Sequence, residues 1–335
     1  MRLKRLARKT LTVLAVAAGL TAAATSYFAN KRAAETEAAY PAVGQFVEIS
    51  GGRVHYVQKG SGPHVVLLHG AGGSLNDFTF DLMDRLTDDY TVTAFDRPGL
   101  GYTDRVPNVP TGMFATEGDS PADQAFMLRA AASQIGITSP IVVGHSFGGI
   151  VALAWALAGL DEEAAVNAAA VVSYAGVMMP WPGDLGWYYT LNGSPIGGAI
   201  TIPLISAFAP STTIKNAAEA VFAPQAAPSG YAQHIGGALS VRPASFRANV
   251  RQVNTLHPKI VEMTARYPEL TLPIEVLHGT EDVTVPISVH PEEFVQLVPD
   301  MVLTKLEGVG HMPHHSDAQA AIDTIHRAAT RAGLR

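Results

Sequence analysis

The pentapeptide Gly144-His145-Ser146-Phe147-Gly148 is the most informative segment of this 335-residue chain. It follows the apolar run Ile141-Val142-Val143 and opens an Ala/Leu-rich stretch that starts Gly149-Ile150-Val151. This order of strand, tight turn and helix is typical of a nucleophile elbow, in which a serine on a strained turn raises its hydroxyl toward a cleft. The glycines leave room for the neighbouring backbones. The alternative is an ordinary serine in a glycine-rich turn, and the flanking elements favour the nucleophile.

Two further residues complete a candidate catalytic set. A serine nucleophile needs a histidine to take its proton and an acid to orient that histidine, here in the chain order Ser, Asp, His. Asp282 and His311 each follow an apolar strand-like run. Because the carboxyl ends of parallel strands meet at one edge of a sheet, we predict that Ser146, Asp282 and His311 meet there. Glu281 competes for the acid role, but neighbours on a turn point in different directions.

The chain resembles the α/β-hydrolase family from about Phe46 to near its C-terminus. Four ordered segments carry the resemblance, namely LHGAGGS from Leu68, GHSFGG, GTEDVTVP and GVGHMPHH. The resemblance implies an α/β fold with a mostly parallel eight-stranded sheet flanked by helices, together with a mainly helical cap. It also implies that the backbone N–H groups of Ala71 and Phe147 form an oxyanion hole for the tetrahedral intermediate.

The pattern of short apolar runs supports the same class. A glycine-containing turn at 50–53 joins a predicted hairpin. Helix-like stretches such as 123–134 and 150–160 alternate with the later strands, which predicts a mostly parallel sheet with helices on both faces. The predicted strands are 46–49, 54–57, 65–68, 92–95, 141–143, 170–174, 274–277 and 301–306.

The alternation breaks from about 177 to 267, where Pro, Gly and aromatic residues are frequent. We interpret the larger part, residues 177–257, as a cap inserted after the sixth strand, which divides the core into 45–176 and 258–335. By the resemblance, such caps roof the serine and shape the substrate pocket. Trp181, Trp187 and Tyr188 are therefore candidate pocket residues. The alternative is that these aromatic side chains form the internal packing of the cap.

The N-terminus is strongly basic, and an uncharged, mostly apolar stretch then runs from Thr10 to Asn30 before Lys31-Arg32. About 20 such residues can cross a bilayer as a helix. We predict that residues 1–32 are a membrane anchor with a cytoplasmic N-terminus, since the basic residues are concentrated before the stretch. The alternative is a cleaved signal peptide. Both place the catalytic domain outside the cytoplasm, on the periplasmic side in a bacterium, and residues 33–44 are predicted to be a polar, Ala-rich linker.

Composition excludes several classes of protein. The net charge is −6 without a basic stripe, which argues against a nucleic-acid partner, and 16% charged residues are too few for a disordered protein. The absence of cysteine excludes disulfides, thiolate nucleophiles and cysteine metal sites. His311, His314 and His315 are close in sequence, but no HExxH pattern is present, so we predict neither metal nor cofactor. The sequence indicates no particular oligomeric state.

A Ser-His-Asp set with an oxyanion hole is suited to acyl transfer to water. We therefore predict a carboxylesterase for small to medium uncharged substrates, with lactones or thioesters as variants. Family members that open epoxides or displace halide use aspartate at the elbow, so Ser146 disfavours them. The loop sequence HGAGG also differs from the HGGPG of proline iminopeptidases and the HGGG of many lipases. A carbon–carbon hydrolase of diketone-like compounds and a non-catalytic receptor remain as alternatives, disfavoured by export and by the intact triad respectively.

Overall fold

The computed structural model describes residues 2–161 and 166–335. Its strands are β1 Gln45–Ile49, β2 Gly52–Lys59, β3 His64–Leu68, β4 Thr91–Phe95, β5 Ile141–His145, β6 Ala170–Tyr174, β7 Ile274–Gly279 and β8 Val302–Leu306. They form one sheet in the order β1-β2-β4-β3-β5-β6-β7-β8. β2 pairs antiparallel with β1 and β4, and all other neighbours are parallel. The predicted mostly parallel, eight-stranded α/β sheet is confirmed.

The helices fall into three groups. A long helix, α1 Arg2–Ala39, precedes the sheet. The core helices are α2 Asn76–Thr79, α3 Leu82–Leu86, α4 Pro121–Gln134, α5 Phe147–Asp161, α12 Pro291–Leu297, α13 Pro313–Ser316 and α14 Ala318–Arg331. Between β6 and β7 lie α6 Trp187–Gly193, α7 Pro195–Phe208, α8 Ser211–Ala220, α9 Tyr231–His234, α10 Pro243–Asn254, α11 Leu256–Thr264 and two short 3₁₀ helices, Gly237–Val241 and Tyr267–Glu269.

The central strands are buried on both faces, which explains their continuous Val/Ile runs. On one face, α4 and α5 cover the sheet and bury Trp155 completely. On the other, α3 and α14 pack over Tyr174. α4 starts at a capping box in which Ser120 and Asp123 satisfy each other's backbone N–H groups. Because β5, β6, β7 and β8 run parallel to one another, the carboxyl ends of β5, β7 and β8 lie along one edge of the sheet.

The segment between β6 and β7 is entirely helical or irregular, as predicted for an insertion after the sixth strand. The predicted boundary at residue 257 falls inside α11. α10, which lies before that boundary, is largely buried, including Ser245, Ala248 and Gln252. The insertion and the core therefore share their packing at this end.

Among the unbroken helices in the described ranges, only α1 has the length and the apolar composition needed to cross a membrane. At 1.5 Å per residue it extends about 57 Å. Residues 33–39 of the predicted linker, 33–44, continue the helix α1, and Thr36 is buried. Alanine and glutamate favour helix, and contact with the inserted segment stabilises these turns.

Candidate active site

The turn after β5 has the geometry of a nucleophile elbow. Ser146 has φ +51°, in the left-handed region that non-glycine residues rarely adopt. A Cβ atom on Gly144 would lie 2.2 Å from the Gly148 carbonyl oxygen, and one on Gly148 would lie 2.0 Å from the Leu68 carbonyl oxygen. Neither position can therefore accept a larger residue without movement of the backbone. The spacing of the two glycines in the sequence thus reflects two backbone contacts.

Ser146, His311 and Asp282 form a continuous hydrogen-bonded chain. His311 Nε2 lies 2.9 Å from Ser146 Oγ, and His311 Nδ1 lies 2.7 Å from Asp282 Oδ2. A carboxylate can only accept, so Nδ1 carries the proton and Nε2 is free to accept from the serine hydroxyl. All three residues are buried, whereas Glu281 is exposed. The fold therefore brings together the three residues that the sequence predicted for this role.

Asp282 is held as a carboxylate. Its Oδ1 accepts from the backbone N–H groups of Thr284 at 2.8 Å and Val285 at 2.9 Å. Burial alone would raise the pKa of Asp282, but hydrogen bonds from His278 and His311 outweigh it and hold the pKa below its ordinary value. The ionised form is thus favoured at neutral pH. An ionised carboxylate is what orients an imidazole and stabilises its protonated form.

The loop that carries His311 is fixed by a residue of the inserted segment. Gln225 Nε2 donates to the Gly308 carbonyl oxygen at 2.7 Å, and the Gly310 N–H donates to Gln225 Oε1 at 3.0 Å. Both hydrogen bonds span more than 80 positions of sequence, 83 for the first and 85 for the second. Nothing in the sequence around Gln225 indicates this contact.

Two backbone N–H groups near Ser146 are free to bind an anion. Phe147 is the first residue of α5, so its N–H has no acceptor within the helix. Ala71 lies in the loop after β3. Within residues 2–161 and 166–335, neither N–H has a hydrogen-bond acceptor. The partial positive charge at the start of α5 also favours negative charge there. The two groups predicted as an oxyanion hole are therefore unpaired.

The buried side chain of Arg97 contacts both the loop after β3 and the first residue of α5. Arg97 Nε donates to the His69 carbonyl oxygen at 2.7 Å, and Arg97 Nη2 donates to the Gly70 carbonyl oxygen at 3.0 Å. Its guanidinium carbon lies 4.4 Å from the centroid of the Phe147 ring. Burial lowers the pKa of Arg97 to about 9, which leaves it cationic at neutral pH. No local pattern around Arg97 in the sequence indicates these contacts.

The inserted segment also contacts the loop after β3. The Gly72 N–H donates to Asn249 Oδ1 at 2.6 Å. Ser240 donates its hydroxyl hydrogen to the Gly72 carbonyl oxygen. The conformation of the predicted oxyanion loop thus depends on the insertion above it.

A second buried polar cluster lies beside the triad. Asp77, on α2, accepts from the Tyr231 hydroxyl at 2.8 Å and from His315 Nε2 at 2.8 Å. His314 Nε2 lies 3.3 Å from the same carboxylate, and His145 Nδ1 lies 3.7 Å from it. Burial by itself would raise the pKa of Asp77. The charges and hydrogen bonds of His314 and His315 together have the larger effect and hold the pKa well below its ordinary value.

Within the described ranges, one group of side chains is close enough to hold a metal ion, namely Asp77, His145 and His314. One potential ligand atom from each of them lies within 4.8 Å of the other two. His311, considered with His314 and His315 from the sequence, turns instead to Ser146. The Asp77 carboxylate already accepts hydrogen bonds, so a hydrogen-bonded network accounts for the cluster.

The predicted pocket residues separate into two environments. Trp181 is half-buried, and its ring meets the His257 ring edge-on with the two centroids 5.1 Å apart. The rings of Tyr188 and Phe246 stack with their centroids 6.1 Å apart. Trp187 is 76% exposed, so the structure does not place it in a roof over Ser146. Asn192 is buried on the inward face of α6. Trp187, at the start of the same helix, consequently points outward.

Comparison with known proteins agrees with this architecture. The profile of the alpha/beta hydrolase family matches residues 65–324. A stretch of 133 residues is 39% identical to the dihydrolipoyllysine-residue acetyltransferase component of an acetoin cleaving system from Cupriavidus necator. That match covers 39% of this chain and 32% of the other protein, so it spans about a third of that relative.

Two solved structures share the fold. An esterase from Rhodococcus sp. ECU1013 superposes with a TM-score of 0.64 and 23% identity, covering 87% of this chain and 98% of that chain. A membrane phospholipase A superposes with a TM-score of 0.65 and 18% identity, covering 99% of this chain and 100% of that chain. At these identities the likeness concerns the fold.

Proposed function

The chain belongs to the alpha/beta hydrolase family, and from this premise we propose that it is a serine hydrolase of carboxylic esters. The hydrogen-bonded chain from Ser146 through His311 to Asp282 carries the proposal. In this proposal Ser146 is the nucleophile, His311 is the general base and acid, and Asp282 holds the imidazole in its orientation.

The reaction follows from these positions. Ser146 Oγ attacks the ester carbonyl carbon while its proton passes to His311 Nε2. The N–H groups of Ala71 and Phe147 donate to the resulting oxyanion. Collapse of the intermediate breaks the ester bond, and His311 gives its proton to the departing alcohol. Water then attacks the acyl-enzyme in the same way, with His311 taking and returning the proton, and the carboxylic acid leaves.

Serine at the elbow supports ester hydrolysis over epoxide opening or halide displacement, which use aspartate in this family. We assign substrate selection to the cap, residues 177–257, because Gln225 and Asn249 contact the histidine loop and the oxyanion loop. Trp181 and Tyr188 remain the candidate pocket residues. Ser146 itself is only 8% exposed, which fits a covered site for small to medium uncharged esters.

We further propose that residues 1–32 anchor the enzyme in a membrane with its catalytic domain outside the cytoplasm. The length and apolar composition of α1 support this. The match to a membrane phospholipase A, which covers 99% of this chain, adds support because α1 falls largely inside the matched part. Cleavage of the segment as a signal peptide is the alternative, and would give a secreted or periplasmic protein.

The test combines covalent labelling with a substrate series. A fluorophosphonate should label the wild-type chain at Ser146 and fail to label Ser146→Ala. Turnover of para-nitrophenyl acetate, butyrate, octanoate and palmitate should then peak at an intermediate chain length, since a covered pocket has a finite volume. Absence of both labelling and turnover, with stabilisation by bound esters, would instead support the receptor alternative. Faster cleavage of a diketone than of any ester would support carbon–carbon hydrolysis.

A further inference from the structure

The outer face of α7 is apolar. The helix contains no charged residue, and four large side chains on it are exposed: Ile196 by 72%, Ile200 by 55%, Leu204 by 41% and Phe208 by 57%. Because they are four residues apart, they follow one ridge of the helix. We call these four residues the α7 stripe. A surface helix ordinarily presents polar and charged residues on this face, and a contiguous apolar patch marks an interaction site.

The opposite face of α7 is buried. Its inward residues include Gly197, Ile202 and Ser206. Ile202 packs with Phe246 and Val250 of α10. The orientation of α7 is therefore set by packing within the cap, and the stripe stays on the outside.

The stripe adjoins α1. The ring centroids of Phe208 and Phe28 are 6.1 Å apart, and Phe28 is itself 46% exposed. Ser206 lines a narrow crevice together with Ala29 and Ala33 of α1. The exposed apolar surface thus continues from the end of α7 onto the helix that we propose as the membrane anchor.

The position of this contact along α1 fixes its depth. Thr25 and Ala29 are buried, although both lie inside the uncharged stretch from Thr10 to Asn30. That stretch is about 30 Å long as a helix, which is about the thickness of the hydrocarbon core, so all of it is needed to span. Thr25 is then within about 8 Å of the boundary. With residues 1–32 as the proposed anchor, the cap covers α1 at this level, and the adjoining end of α7 would lie at the lipid interface.

The far end of α1 is held firmly to the domain. The Glu37 carboxylate pairs with the Arg242 guanidinium at 2.7 Å. The Tyr102 hydroxyl, on a loop of the core, donates to the Tyr40 carbonyl oxygen. These contacts prevent free rotation of the domain about α1, and they keep the α7 stripe in one position beside the span.

We propose that the α7 stripe lies in the interfacial layer of the bilayer that α1 crosses, so that the cap is a second membrane contact. The inference rests on the proposed anchoring by residues 1–32. A bilayer is favoured over a second copy of the chain because the stripe is continuous with Phe28, which lies inside the span. An apolar helix face at this depth gains free energy by burial among lipid chains. The cap that covers Ser146 would then border the layer in which uncharged esters dissolve.

The absence of native cysteine allows a direct test. Ile200→Cys and Leu204→Cys would each be labelled with an environment-sensitive fluorophore in the full-length chain and reconstituted into phosphatidylcholine vesicles. Phe126→Cys is the matched control, because Phe126 is 66% exposed on α4 of the core. We expect blue-shifted emission and quenching by lipids that carry a nitroxide near the headgroup for both stripe positions. The control should be quenched by aqueous iodide alone.

Stripe labels that behave like the Phe126→Cys control would overturn the proposal. So would a blue shift that lipid-borne quenchers leave intact and that disappears at low protein-to-lipid ratio, since this indicates a second copy. Hydrolysis of a soluble butyrate ester by the same labelled proteins reports the proposed activity separately. Resistance to extraction by alkaline carbonate reports the anchoring separately. A retained, active chain with a water-exposed stripe would therefore reject this inference alone.

Discussion

The Glu37 carboxylate on α1 lies 2.7 Å from the Arg242 guanidinium of the cap, which joins the N-terminal helix to the domain that it precedes. The Arg242 side chain is 9% exposed, while that of Glu37 is 49% exposed. Arg242 also donates to the Leu239 carbonyl oxygen and to Ser245. The end of α1 is consequently part of the cap's packing as well as a connection to the membrane segment.

Truncation should distinguish these two roles of α1. Removal of residues 1–22 keeps the turns from Thr25 to Tyr40 that contact the domain, and should leave thermal stability close to that of the full chain. Removal of residues 1–40 leaves Arg242 without its carboxylate and uncovers apolar cap surface, which should lower Tm by about 5 °C or more. Differential scanning calorimetry of both forms checks this. Equal Tm values would show that the contact contributes no stability.

Substitution of the triad should abolish turnover without unfolding the protein. Ser146→Ala should lower kcat by about 10⁴-fold or more, and Asp282→Asn should cost about 10⁴-fold because the imidazole would be held in the wrong tautomer. Steady-state kinetics with a butyrate ester measures both, and Ser133→Ala on α4 is the control. Turnover of Ser146→Ala near the wild-type value would remove the serine from the proposed mechanism.

Gln225 should act as a positioning residue for His311. Gln225→Ala removes both hydrogen bonds to the histidine loop, at Gly308 and Gly310. We expect kcat to fall by about tenfold, since each bond contributes roughly 1 kcal/mol and the loop becomes less ordered, while KM changes little. Gln225→Glu loses the donor to the Gly308 carbonyl oxygen but keeps an oxygen that can accept from the Gly310 N–H, so it should recover part of the loss. A change confined to KM would indicate substrate contact instead.

His69 should make the protein less stable in acid. Its Nε2 accepts from the Arg97 N–H at 2.9 Å, so it must stay neutral. Burial, and secondarily the Arg97 cation, lower the pKa of His69 to about 4. Below about pH 6.5 the unfolded chain binds a proton at His69, whereas the folded chain does not bind it until about pH 4. The contribution of neutral His69 to the free energy of unfolding is therefore complete above about pH 6.5 and declines toward pH 4. The loss is about 3 kcal/mol.

Urea unfolding at several pH values between 4 and 7 measures this decline. His69→Gln should be less stable at pH 7 but should show a flatter dependence of the free energy of unfolding on pH. An unchanged slope in the variant would exclude His69 as the source.

The cluster around Asp77 should behave as a hydrogen-bonded network without a metal. We expect neither zinc nor a chelator to change Tm, as measured by thermal shift. Asp77→Asn should destabilise the protein by about 3 kcal/mol, because Tyr231 and His315 lose a buried charged acceptor. A rise of several degrees in Tm with zinc, lost in Asp77→Asn, would instead indicate a metal site at Asp77, His145 and His314.

Local sequence was sufficient for the sheet and for the candidate triad. Glycine spacing around Ser146 marks the elbow because two backbone contacts exclude larger residues there. Asp282 and His311 could be identified because each follows a strand, and parallel strands bring their carboxyl ends to one edge. These are short-range patterns joined by a topology that the alternation of strands and helices indicates.

Contacts between distant segments needed the folded chain. Asn249 reaches Gly72 across 177 positions, and Gln225 reaches Gly308 across 83. No local pattern indicates which partner a polar side chain meets after the cap folds over the sheet. The exposure of Trp187 and the docking of α1 have the same cause. Which face of a helix is buried depends on what packs against it, and composition alone predicts only that a helix forms.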